Sequence, residues 1–214
     1  MHFRHLLFAA ALAAAGAAHA QSSGPVMPRP AEFYFDADAK ATKPVIAVRE
    51  TGEAATARLL KQIERDPRAK AEHAQLAHLA MAAGREDLGR ELYARAVILI
   101  PPSDGVLWRP MMWNYGWDLY RAGDAAGALE QWRALTASRA VNASWMPPTL
   151  AIALWSLGRK DEAVQWYAAA VRTEPQQWNG TSRYAALLPD WRDAERATLA
   201  EVQAAWAAKP PSWP

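Results

Sequence analysis

Trp113, Trp117, Tyr120 and Arg121 recur at the spacing of one stripe along a helix. With Asn114 beside them they supply indoles, a phenol, one fixed cation and one carboxamide, which are groups that bind rather than react. Planar rings give contact area at low conformational entropy and suit the aromatic, aliphatic or proline side chains of an extended peptide. A glycan stacked on Trp113 and Trp117 is the small-ligand alternative. It requires several carboxylates or amides beside the rings, and Asn114 is the one such group on the stripe.

Reactive constellations are missing from the sequence. It has no phosphate-cradling glycine loop, no GxSxG elbow and no HExxH. It has no cysteine, which excludes disulfides, thiolate metal sites, cysteine nucleophiles and a lipid anchor on an N-terminal cysteine. His73 and His78 are five apart, unlike the four-residue spacing that places two ligands on one helix face, and read as packing or surface residues. Glu86-Asp87 and Asp161-Glu162 follow turn glycines at helix starts, where carboxylates favour the helix dipole. The expectation is therefore no enzymatic activity, no metal and no cofactor.

The aromatic stripe belongs to a pattern that occurs three times. Gly84, Gly123 and Gly158 each mark a turn between helices, and equal offsets from them give a small residue (Gly89, Ala128, Ala163) and an aromatic (Tyr93, Trp132, Tyr167). Further on come Ala96, Leu135 and Ala170, then Pro101, Ala140 and Pro175. The preceding helices agree as well, with Leu76, Ala77 and Ala80, then Tyr115, Gly116 and Leu119, then Leu150, Ala151 and Leu154. Small residues let the two helices of a hairpin approach closely, and the aromatic fills the space between hairpins.

This pattern resembles the tetratricopeptide repeat (TPR) family over roughly residues 70 to 177. The resemblance implies an all-α fold: a right-handed α-solenoid of about three TPR-like helical hairpins. An N-terminal half-repeat from Glu53 to Arg65, with Thr51 as N-cap, and a C-terminal capping helix from Trp191 to Ala208, capped by Asp190, complete it. The sequence departs from the family where His73, Met112 and Pro147 replace an early tryptophan, where Ala140 replaces the closing proline, and where Pro102 to Val106 lengthens the first linker. Pro110, Pro147 and Pro148 fit such helices only in their first turns.

In such arrays the first helix of each hairpin lines the concave side. The resemblance then implies a partner-binding groove with Gln75, His78 and Met81 from the first unit. The second gives Trp113, Asn114, Trp117, Tyr120 and Arg121, and the third gives Trp145, Thr149, Ile152, Trp155 and Ser156. The expected partner is a protein or extended peptide, and the groove lacks the lysine-and-asparagine set with which some members grip a terminal carboxylate. Two states remain open: a free groove, or one filled by residues 33 to 48, by the tail or by a second copy of the chain. The end region also shows a similarity to repeat proteins that accompany envelope energy transducers of the TonB type, which adds a structural subunit of an envelope complex to the readings.

The flanks set location. Arg4, an apolar run from Leu6 to Ala18 and Ala18-His19-Ala20 make a secretory signal peptide over 1–20, with cleavage expected after Ala20 and periplasmic export. The run is too short and alanine-rich to span a bilayer comfortably, so no membrane insertion is expected after cleavage. Net charge is +2, and removal of Arg4 leaves +1, too little for nucleic-acid binding. Residues 21–52 read as an extended or partly disordered segment with two β-prone tracts, Phe33 to Phe35 and Val45 to Val48. These tracts pair as a hairpin or, as favoured here, lie along the helical body. Asn142-Ala143-Ser144 and Asn179-Gly180-Thr181 fit glycosylation sequons but read as turns. The helical repeat domain occupies 53–208 and a tail 209–214.

Overall fold

The computed structural model describes residues 26–30 and 34–212, so the expected leader lies outside the described residues, as do the side chains of 31–35. The described chain is mostly helical. Strand β1 (Tyr34–Asp36) precedes α1 (Gly52–Arg65), α2 (Lys70–Ala82), α3 (Glu86–Leu99), α4 (Gly105–Arg121) and α5 (Ala125–Ala137). Strand β2 (Asn142–Ala143) follows, then α6 (Met146–Ser156), α7 (Lys160–Thr173), the short α8 (Pro175–Trp178) and α9 (Tyr184–Leu187), and α10 (Asp193–Ala208).

Adjacent helices pack as pairs: α2 on α3, α4 on α5, and α6 on α7. Each pair turns on a glycine with positive φ, at 73° for Gly84, 86° for Gly123 and 74° for Gly158. The residue after each glycine donates its N–H five residues back, Arg85 to Ala80, Asp124 to Leu119 and Arg159 to Leu154, each at 2.9 Å. That is the helix-ending arrangement in which a left-handed residue satisfies the last free carbonyls, and glycine adopts it without steric cost. α1 covers α2, α2 meets α4, α5 meets α6, and α10 lies across α6 and α7.

The three-fold pattern has a packing cause. Tyr93, Trp132 and Tyr167 are all fully buried, as are Ala128 and Ala163. A Cβ on Gly89 would stand 2.5 Å from the Met81 side chain, and one on Gly116 would stand 2.2 Å from Trp132 Nε1. Close helix approach at these positions requires the missing methyl.

Three expectations are corrected. β1 pairs in parallel with β2, Tyr34 opposite Asn142 and Asp36 opposite Ala143, so Asn142-Ala143 is strand rather than turn; the ladder runs to the helical body, the arrangement favoured above over a hairpin with 45–48. The distant ladder wins because it is backed by the helical body, whereas an isolated hairpin has nothing behind it. α4 begins at Gly105, which winds the end of the linker into the helix and leaves Pro110 inside it rather than in its first turn. The Asp104 carbonyl accepts from Trp108 N–H at 2.8 Å and starts that earlier turn; the proline costs one intrahelical bond near the exposed Val106. Lastly, α10 begins at Asp193 and its first turn is capped by Glu195, which accepts from Arg192 N–H at 2.7 Å, not by Asp190. Pro147 and Pro148 do lie in the first turn of α6.

Candidate functional site

Helix α4 presents Trp113, Trp117 and Arg121 on one face, four residues apart. Trp145 and Thr149 approach from the start of α6 and His78 from α2. The rings meet edge to face, with centroids 5.7 Å apart for Trp113–Trp117 and 5.1 Å for Trp113–Trp145. Such geometry aligns the positive edge of one ring with the negative face of another.

Two other parts of the chain close over this wall. On one side residues 36–48 form a strap. Asp38, in the left-handed conformation at φ 49° and 8% exposed, is bound by the guanidinium of Arg109, by Arg139 at 2.8 Å and by Trp145 Nε1 at 3.2 Å. Further along, Asn114 donates to the Lys43 carbonyl at 2.8 Å. Gln75 accepts from Ala47 N–H at 2.7 Å and Val48 N–H at 2.8 Å, and donates to the Val48 carbonyl at 2.9 Å. The two carboxamides of the expected groove thus hold the backbone of the chain's own extended segment.

On the other side, Trp191 meets Trp117 at 5.0 Å between centroids. Arg121 lies over the Trp117 ring at 5.0 Å, and its guanidinium binds Glu195 at 2.8 Å and the Asp190 carbonyl at 3.2 Å. Glu195, which interrupts the apolar stripe of the last helix, is 3% exposed and finds its partner here. Trp178, Glu174 and Gln177 complete this side.

The result is a cavity of about 850 Å³. Seven of the thirteen expected groove residues line it: His78, Trp113, Asn114, Trp117, Arg121, Trp145 and Thr149. Six do not. Gln75 is buried under the strap. Tyr120 turns to Ser156 at 3.1 Å, and Trp155 donates to Glu201 of α10 at 2.8 Å with Lys160 4.5 Å above its ring. Met81 and Ile152 are core residues. Asp36 and Lys43 belong to the 33–48 segment that the sequence offers as one filler of the groove, whereas Glu174, Trp178 and Asp190, on segments outside the first helices, were missed. The signal that was available was Glu195, since a carboxylate stranded in an apolar stripe requires a buried cation.

At the cavity edge His78 Nδ1 bonds the Asp118 carboxylate at 3.0 Å, and Asp118 also accepts from the buried Tyr93 hydroxyl at 2.6 Å. The hydrogen bond to Asp118 raises the His78 pKa, burial opposes it, and the Asp118 charge adds to the rise while Arg121 subtracts from it. Burial, reinforced by the Asp118 charge, pushes the Tyr93 phenol well up. Folded His78 thus titrates above its ordinary 6.5. Its contribution to stability is complete below that value and is lost as pH rises through the folded pKa. Thermal unfolding followed over about pH 5 to 9 should show the gap between the parent and His78→Gln shrinking as pH rises; a gap independent of pH would reject this account.

Two buried polar atoms on lining residues have no partner among the described residues: the Thr149 hydroxyl and the Trp178 indole N–H. Each such group costs on the order of 1–3 kcal/mol in the folded state. Three of the lining charges are matched, Arg121 by Glu195, Asp118 by His78, and Asp36 by Arg139 at 2.6 Å, while Lys43 and Asp190 also line the cavity.

Among the described residues, no group of three or more histidine, aspartate or glutamate side chains is placed to hold a metal ion. Among them, too, no helix is long and apolar enough to cross a membrane. No protein-family model matches the chain, and no curated protein matches it.

Proposed function

We propose that this is an exported, periplasmic helical-repeat protein of the tetratricopeptide type whose groove has become a small-ligand site. The observation that carries the reading is the cavity of about 850 Å³ left between α4, α6, the strap and the 174–191 segment, walled by five indoles. Its size falls in the range of about 300–1,000 Å³ typical of ligand clefts, which combine apolar walls with a few placed polar groups. The recurrent small and aromatic positions and the three glycine turns support the repeat reading.

The protein-partner reading meets a specific obstacle: the carboxamides that would grip a foreign peptide grip residues 43, 47 and 48. A partner peptide, or a neighbouring subunit of an envelope complex, must first displace the strap.

The test is a thermal-shift screen of the chain against a diverse small-molecule library and, separately, against extended peptides. The cavity reading expects small molecules that raise the unfolding temperature and change indole emission, with the response weakened in Trp191→Phe. Peptides that bind only after Asp38→Asn loosens the strap, with no small-molecule response from the parent, would overturn it in favour of a scaffold.

A further inference from the structure

Resting on the cavity reading, we propose that the ligand is an organic monocarboxylate with an apolar body, its carboxylate received by His78 Nε2 and Lys43 Nζ. Helix α4 positions both donors. Asn114, Asp118 and Arg121 follow one another at helical spacing, beside the indole stripe. Asn114 holds the Lys43 carbonyl at 2.8 Å and Asp118 holds His78 Nδ1 at 3.0 Å. The strap lysine and the histidine are thus fastened to points about 6 Å apart along the helix axis, four residues at about 1.5 Å each. Both border the cavity.

Each of the two keeps an accessible donor. The Asp118 side chain is 5% exposed but that of His78 is 40% exposed. With Nδ1 engaged by Asp118, His78 Nε2 has no partner among the described residues, and neither has Lys43 Nζ. A carboxylate at Nδ1 fixes the Nδ1–H tautomer of the neutral ring, so a proton is gained at Nε2. The protonated ring then offers an N–H to the cavity. Asp118, which also accepts from the Tyr93 hydroxyl, balances its charge, and Arg121, the other cation near His78, is engaged by Glu195.

The opposite side sets the rest of the ligand. Glu174 and Asp190 line the cavity there and oppose a second negative charge. An amine would meet Asp190 but set its own charge against Lys43 and His78. The accessible apolar lining comes from Trp113, Pro44, Leu187 and Pro189, which suit an alkyl or aryl body.

Protonation of His78 then governs affinity. The hydrogen bond to Asp118 raises its pKa, burial opposes the rise, the Asp118 charge adds to it and Arg121 subtracts. Carboxylates ionise near about pH 4 and stay charged above that. Binding should therefore be strongest below the folded His78 pKa and weaken as pH rises through it.

The experiment is calorimetric titration of the chain over about pH 6 to 9 with hexanoate, phenylacetate and indole-3-acetate, each beside its amide, and with hexylamine and phenethylamine. The parent should bind at least one carboxylate, its amide at least about tenfold more weakly, and neither amine, with carboxylate affinity falling as pH rises. His78→Gln should bind that carboxylate about tenfold more weakly and without the pH dependence, since glutamine has no proton to lose in this range. Lys43→Gln should cost about threefold and keep the pH dependence. A histidine that served packing alone would leave the slope unchanged. Carboxylate affinity independent of pH in the parent, or a slope retained in His78→Gln, would overturn the role of His78. Amides or amines bound as tightly as carboxylates, or library compounds bound but no carboxylate, would overturn the ligand class and leave the cavity reading intact. If neither this panel nor the library binds, both fall together.

Discussion

Asp38→Ala should destabilise the protein by about 3–5 kcal/mol, the range found when one partner is removed from a buried ion pair. The carboxylate is 4% exposed and the Arg109 and Arg139 side chains only 16% and 15%, so solvent offers little relief to two guanidinium groups left with a shared deficit. Arg139 retains Asp36, which places the expectation toward the lower end of that range. The backbone adds a second loss, because Asp38 holds φ at 49° and aspartate tolerates this region better than alanine does. Asp38→Asn separates the two. It keeps the side-chain shape and turn preference while removing the charge, so it should lose the electrostatic part alone. Chemical denaturation of both variants measures the difference, and proteolysis near residues 36–48 should accelerate in each. An Asp38→Ala variant within about 1 kcal/mol of the parent would mean that the strap is not held as described.

Trp132→Ala should cost about 3–5 kcal/mol, the usual range for emptying a large buried aromatic site. Trp132 is fully buried and stands 5.1 Å from Trp117 and 6.2 Å from Trp113 between ring centroids. Its removal therefore opens space behind the cavity wall as well as in the core. Gly116→Ala approaches the same contact from the other side. A methyl there would lie 2.2 Å from the indole nitrogen, and the resulting overpacking of roughly 1–3 kcal/mol opposes a helix-propensity gain of up to about 1 kcal/mol. The net sign should be destabilising, and urea midpoints decide it. In the double variant the clash disappears with the ring, so the two costs should fail to add.

Much of the helical pairing was legible because glycine, small and aromatic residues recur at fixed offsets, and each has a local cause visible in one dimension: a left-handed turn at Gly123, a close approach at Gly116, a filled gap at Trp132. The stripe at Trp113, Trp117 and Arg121 followed from helical periodicity and does face one space. Its boundary was not legible. Glu174 and Trp178 lie past the end of the third hairpin, and Lys43 in a segment with no periodic signal; what brings them to the stripe is long-range pairing through Asp38 and Glu195. Sequence spacing carries no trace of a pair separated by 74 residues, as Arg121 and Glu195 are. The strand at Asn142 was missed for the same reason, since a two-residue ladder depends on a partner more than a hundred positions away. Pro110 misled because proline was weighed against an ideal helix start, while Asp104 was already supplying an earlier one.

The strap and the last helix also set an order of assembly. The helix pairs join neighbours in sequence, so their closure entropy is small and they can form early. Asp38 must find Arg109 and Trp145 across 71 and 107 residues, and Glu195 must find Arg121 across 74. Those contacts have something to dock on only after the helical body exists. The cavity is thus completed at the end of folding by the two segments whose loops are longest to close. By the same logic they are the first cooperative unit to detach, at a free energy below that of global unfolding. Amide exchange in residues 36–48 and 190–195 should report that opening, giving an occupant a route in and out that leaves the helix pairs intact.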